Sequence, residues 1–229
     1  MDEQIVKGTL LVDGQPSQDQ ELLLISADMN KLLAVSASGP DGSFEFAFPA
    51  PQEDSNAIVL AKLRRDFAGV VHRQVDLLQA APLEIEVETK TDSFNLEVMI
   101  ESSVGYPEHL DVFLDPIIVA GVPEQLTRYF KQVDRGIFTS HFLERLIDDR
   151  AFDVRVMAGT YKIGGHYIIE DRPMLVNPTS ENFIGSSATV EPYASPLEGD
   201  PYGGFALTVD NDCRVVLTLR VLEDKELVR

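Results

Sequence analysis

Chemistry in this chain would have to come from four histidines, one cysteine and a few oxygen-rich or glycine-rich clusters. His72, His109, His141 and His166 never stand at the H-x-x-x-H interval that sets two imidazoles on one helix face for a metal. His166 follows Gly164-Gly165 and precedes Tyr167, so the backbone there admits close approach, and a hydrolase site would be built around it. The plainer reading is a strand-end histidine. Cys213 opens the apolar stretch Cys213-Arg-Val-Val-Leu-Thr-Leu219, which suits a thiol in a sheet better than a nucleophile. Asp210-Asn211-Asp212 and Asp148-Asp149 offer the hard oxygens that calcium takes. Neither reaches the distal glutamate of a full loop, and both read as turns. Gly199-Asp-Pro-Tyr-Gly-Gly204 lacks the lysine and flanking helix of a phosphate loop, and no G-x-S-x-G elbow occurs. No catalytic, cofactor-binding or metal-ligating residue is assigned, and no cofactor is expected.

The elements that would position such residues are strands. Val6–Val12 closes on the turn pair Asp13-Gly14, and Glu21–Ile25 is a continuous apolar run suited to a central strand. Leu32–Ser36, Ala57–Leu63, Gly69–Val75 and Leu83–Val87 are further strand candidates. Gly39-Pro-Asp-Gly42 is a strong turn signal, after which Phe44, Phe46 and Phe48 alternate with Glu45 and Ala47, placing three rings on one face. The arrangement is echoed later: Asp41-Gly-Ser-Phe44-Glu-Phe46 matches Asp149-Arg-Ala-Phe152-Asp-Val154. Each copy has an acidic turn residue with apolar residues three and five positions on. The expected fold class is all-β, as two tandem β-sandwich domains: 1–89, and an elaborated 90–229.

In the second half, Phe94–Val98, Leu110–Leu114, Phe152–Val156, Tyr161–Ile163, Tyr167–Ile169, Phe205–Val209 and Arg214–Val221 read as strands. An insertion is expected over 115–140. Pro123 to Val133 has helical spacing, and residues 123–147 fit either helix or a strand pair. The Pro-, Gly-, Ser- and Asn-rich stretch 173–205 reads as a long loop carrying Phe183, Tyr193, Tyr202 and Phe205. Those aromatics are the candidate partner-binding residues, or else they pin the loop to its own sandwich.

Bulk properties narrow the class. At 229 residues the chain suffices for two domains with workable cores. The formal net charge of −19 divides as 15 acids against 7 bases up to residue 90, then 23 against 12, so both halves are acidic. That balance disfavours nucleic acid and anionic lipid. No stretch approaches a membrane span, and the acidic start Met1-Asp-Glu is unlike a signal peptide, so a cytoplasmic setting is expected unless a leader was trimmed.

Val6-Lys-Gly-Thr9, Asp13-Gly14 and Gly39-Pro-Asp-Gly-Ser-Phe-Glu-Phe46 resemble the carboxypeptidase regulatory-like domain, a transthyretin-like β-sandwich, over roughly residues 4–88. Phe152–Tyr161 is similar to a strand-turn element of such sandwiches, with about 16 more residues between first strand and motif (51 against 35). The resemblance implies a non-catalytic accessory, adhesive or structural module. Transthyretin-like hydrolases end in a Tyr-Arg-Gly-Ser tail, whereas this chain ends Glu226-Leu-Val-Arg229. Adhesin modules of similar fold join a first-strand lysine to a last-strand asparagine, but Lys7 faces no asparagine in Leu83–Glu88 and reads as an exposed charge. The expected function is therefore a protein-binding or scaffold module. The alternatives are a structural or adhesive module of an exported assembly, or a hydrolase around His166.

Overall fold

In the computed structural model, Asp13 and Gly14 both take positive φ, 49° and 74°. This is the tight-turn geometry whose twist matches paired strands. It folds β1 (Glu3–Val12) back on β2 (Gln15–Pro16), with Val12 opposite Gln15. The residues described are 3–49, 56–63, 67–78, 82–91, 93–102, 109–129, 151–169, 172–183, 189–193 and 204–219. They are all-β apart from one helical turn. Two compact units are distinguished. The first comprises Met1–Leu63, Gly69–Thr91 and Val122–Leu126; the second comprises Arg64–Ala68, Asp92–Gly121 and Thr127–Arg229.

The first unit has two sheets. In one, β1 lies between β5 (Ser43–Pro49), antiparallel, and β8 (Leu83–Val87), parallel. In the other, the antiparallel order is β4 (Leu32–Ala37), β3 (Glu21–Ser26), β6 (Asn56–Leu63) and β7 (Phe67–Asp76). The Gly39–Ser43 turn prepares β5. The Asp41 carboxylate accepts the Ser43 hydroxyl and backbone N–H, and these bonds hold its pKa below the usual carboxylate range. Gly42 takes φ 75°, and a Cβ there would stand 2.5 Å from the Leu10 carbonyl oxygen. From that turn Phe44, Phe46 and Phe48 enter the core together, while Glu45 and Ala47 face out. Phe44 and Phe46 meet edge-on, their centroids 5.5 Å apart. In β3 and β6 alternation gives way to uniform burial: Leu22–Ile25 and Ala57–Leu63 are all inaccessible, as befits central strands covered on both faces.

In the second unit, β9 (Ser93–Ser102) pairs antiparallel with β11 (Ala151–Met157) and parallel with β16 (Cys213–Leu219). Next to β16 lies β13 (Arg172–Phe183), and next to β13 lies β12 (Gly159–Ile169). β12 also pairs with β10 (His109–Val119) and β15 (Gly204–Val209), and β14 (Thr189–Tyr193) borders β15. Leu96, Val98, Val154, Val156, Tyr161, Ile163, Leu207 and Val215 form its core. The Tyr161 hydroxyl donates to the Met157 carbonyl at 2.7 Å, which satisfies a phenol held in an otherwise apolar interior.

Two expectations change in detail. The stretch 173–205 is not a continuous loop, because β13 and β14 occupy much of it. Composition misled here: Pro178 borders a register shift against β16, and Pro192 lies in β14, which pairs only with β15 among the described residues. Proline is tolerated at irregular and edge positions of sheets. The insertion expected over 115–140 begins as strand, since β10 runs to Val119. It then forms α1 (Glu124–Thr127), a single turn after Pro123 with Leu126 buried. Residues 130–150, including His141 and the Asp148-Asp149 pair, lie outside the described residues.

Candidate functional site

The most unusual polar group in the first unit was not singled out from sequence. Lys62 lies in β6 with 1% of its side chain exposed, directly opposite Glu21 of β3, and its Nζ stands 3.1 Å from Glu21 Oε2. Among the described residues, Glu21 Oε1 has no hydrogen-bond partner and Lys62 Nζ has only its ion-pair contact with Glu21 Oε2. Burial pushes the lysine pKa down, and the Glu21 carboxylate opposes that shift. The available signal was a lone lysine in the apolar run Ala57–Leu63, with a glutamate heading the run of leucines in β3. The pair lies on a strand-to-strand contact, where it holds two opposite charges together.

Other polar groups fasten strands. Asp13, at its positive φ, accepts the Thr89 backbone N–H at 2.8 Å and the Thr89 hydroxyl, joining the first turn to the chain beyond β8. Gln4 donates to the Leu77 carbonyl, and Arg73 donates to that of Glu84. Lys7 pairs with Glu45 at 2.8 Å on the outward face, with 67% and 48% of the side chains exposed, in agreement with its reading as a surface charge. In the second unit Asp212 accepts the Asn95 backbone N–H at 2.7 Å, and Arg214 bridges to Glu97 at 2.5 Å. Asp210–Asp212 thus forms a bend whose last residue is tied to β9. Among the described residues no cluster of three His, Cys, Asp or Glu side chains could hold a metal ion.

The sequence candidates separate. Cys213 is buried, and burial together with Asp210 and Asp212 pushes its thiol up to about 11. His72 sits half-buried in β7, its pKa lowered by desolvation. His166 stands in register with Asp111 of β10 and Leu175 of β13. Of the aromatic set, Phe183 is opposite Val215 at the end of β13. On the β14–β15 pair, Phe205 is in register with Pro192 and Tyr193 with Gly204. Tyr202 lies outside the described residues.

One strand edge differs from the rest. β4 pairs only with β3 among the described residues, and Leu32-Leu-Ala-Val-Ser-Ala37 contains neither charge nor proline. Val35 is 50% exposed on it. The edge strand β8 instead presents Glu84 and Glu86 to solvent, and β5 carries Glu45 and ends at Pro49. Charge and proline are how sheets ordinarily guard an edge, and β4 itself carries neither, although Glu45 of β5 lies beside it and donates its N–H to the Ser36 hydroxyl at 3.4 Å.

No protein-family model matches the sequence, and neither does any curated protein. Among solved structures, the chain is similar to the TIE protein of Bacillus anthracis at 10% identity and TM-score 0.28, covering 95% of this chain and 34% of that one. It is similar to GBS52, the minor pilin of Streptococcus agalactiae, at 11% identity and TM-score 0.28, covering 95% and 97%. It is also similar to the tip fimbrial protein Mfa3 of Porphyromonas gingivalis at 12% identity and TM-score 0.27, covering 97% and 95%. The chain spans about a third of the TIE protein. Scores this low give none of these likenesses weight in assigning a role. No helix among the described residues is long and apolar enough to cross a membrane.

Proposed function

We propose that this chain is a non-catalytic β-sandwich module of a protein assembly, and that a partner adds a strand to the open edge of β4. The observation that carries this reading is the uncharged, proline-free edge Leu32–Ala37 with Val35 half out of the surface. Backbone N–H and C=O groups along such an edge bind an extended segment, and alternate side chains select it. The chain's acidity favours a neutral or basic segment over an acidic one. An exported structural or adhesive assembly is a second setting for the same contact. A leader encoded upstream of Met1 would select that setting, and the carboxypeptidase regulatory-like resemblance of residues 4–88 suits either.

The test is Val35→Lys, a substitution at an exposed side chain that leaves the core untouched. The variant is expected to fold as the parent does. Affinity capture from the native organism should recover partners with the parent and lose them with the variant. Equal recovery by both would remove strand addition at β4, and attention would pass to Tyr193 and Phe205 on the β14–β15 pair.

A further inference from the structure

Hydrophobic patterning cannot hold β3 in one register against β6. A slip by one residue exchanges the faces of a strand, but a slip by two preserves them. In most sheets a two-residue slip is stopped by polar residues moving into the core or by a tight turn. Neither stop operates on the interior of this pair. Leu22, Leu23, Leu24 and Ile25 face Ala61, Leu60, Val59 and Ile58, and every one of these is buried. After a slip by two in one direction, Leu22–Leu24 would meet Val59, Ile58 and Ala57, again apolar throughout. The connection is no help either. β3 forms a hairpin with β4, and β6 one with β7, but β4 and β5 intervene between β3 and β6. Each hairpin is registered internally by its own turn, and no turn registers one hairpin on the other.

Glu21 and Lys62 are the charged residues at this contact, and they stand opposite each other. We propose that this ion pair is the register lock of the sheet. Slipped one way, Glu21 would face Leu60 and Lys62 would come level with Asp19, which lies outside β3 at a positive φ of 57°. Slipped the other way, Lys62 would face Leu23. Either register takes the buried ammonium away from the Glu21 carboxylate that answers it in the native one. A buried pair of this kind is a poor source of stability, because two charges lose their water for one contact. Its best-attested use is to make wrong registers worse. Among the described residues neither Lys62 Nζ nor Glu21 Oε1 has a further hydrogen bond, which fits a group kept for specificity.

The experiment uses the full chain and three forms: the parent, the apolar double variant Glu21→Leu/Lys62→Met, and the swapped pair Glu21→Lys/Lys62→Glu. Cross-strand nuclear Overhauser effects report register directly, joining Leu23 to Leu60 in the native sheet and Leu23 to Ile58 after a slip. A stranded buried charge holds the slipped form below about 1% in the parent. The apolar variant should unfold at the same or higher denaturant and show a second set of peaks, with contacts displaced by two residues, at about a tenth of the population or more. The swapped pair should return to one native set. A single native set in the apolar variant overturns the lock, as does a swapped variant as heterogeneous as the apolar one. Failure of the apolar variant to fold also overturns it, because the pair would then be required for stability.

Discussion

Gly8→Ala should destabilise the first unit by about 2 kcal/mol, and the reason is steric. Gly8 sits in β1 between Phe44 of β5 and Leu83 of β8. An added Cβ would stand 2.4 Å from Phe44 Cζ, 2.6 Å from the Leu83 carbonyl oxygen and 2.9 Å from Leu83 Cβ. Carbon atoms pack at about 3.5–4.0 Å, so the first overlap alone exceeds about 1 Å. The Phe44 ring has little room to retreat, being 4% exposed and edge-on to Phe46. The carbonyl belongs to the paired backbone of β8, so relief requires β1 and β8 to part. Overpacking of this kind costs roughly 1–3 kcal/mol, and three overlaps with one on backbone place it near the top of that range. Alanine returns about 0.5–1 kcal/mol by restricting the unfolded chain. The net of about 2 kcal/mol corresponds to a Tm lower by roughly 4–8 °C in a chain of this size. The chain has no tryptophan, so unfolding in urea is followed by far-ultraviolet circular dichroism. Gly14→Ala is the control: its Cβ would meet nothing within 4 Å, and only its φ of 74° is strained, at about 1–2 kcal/mol. A Gly8→Ala midpoint equal to or above the parent's, with unchanged m, would refute the reasoning.

Asp13→Ala removes both acceptors from Thr89 and puts alanine at positive φ, so a loss of about 2–3 kcal/mol in urea unfolding is expected, with Asp13→Asn costing less. The Cys213 thiol, held at about 11 against an ordinary 9.0, should react with iodoacetamide at pH 8 about a hundredfold more slowly in the native chain than in urea, from ionisation alone. Equal rates would show the thiol to be exposed. Lys62 gives the opposite alkaline trend. Its folded pKa is lowered, so between that value and the unfolded 10.5 the unfolded chain binds more protons. Stability from this group therefore rises with pH across that window. Cys213 keeps its proton longer when folded, so its contribution is lost from about 9 to about 11. Comparing urea midpoints of the parent and Lys62→Met from pH 8 to 10 isolates the lysine, and parallel curves would contradict the assignment.

What could be read before the structure was whatever local physics decides. The Asp13-Gly14 hairpin and the Phe44, Phe46, Phe48 face follow from turn chemistry and a period of two, and both appear at the expected residues. The run to Ile25 was legible as a central strand, because both of its faces are apolar, and Ala57–Leu63 was legible as a strand whose full burial only the structure shows. Composition failed at β13 and β14, since proline and asparagine argue for a loop only until a neighbouring strand supplies the pairing. The helical spacing after Pro123 yields one turn, Glu124–Thr127. Lys62 was passed over because its meaning depends on Glu21, some forty residues away, and only the pairing of β3 with β6 brings them together.

The same distinction bears on function. Where a polar side chain could have suggested chemistry, its described partners are structural: Asp41 closes a turn on Ser43, Asp13 holds Thr89, Asp212 holds β9, and Lys62 answers Glu21. Each is committed to a contact that a reaction would have to break, at about 1–3 kcal/mol for a charged hydrogen bond. The backbone of β4 is differently placed. Its outward N–H and C=O groups are in no second strand ladder among the described residues, although β5 lies alongside and the Glu45 N–H donates to the Ser36 hydroxyl. The proposed strand addition at β4 rests on that edge, and Val35→Lys is the substitution that tests it.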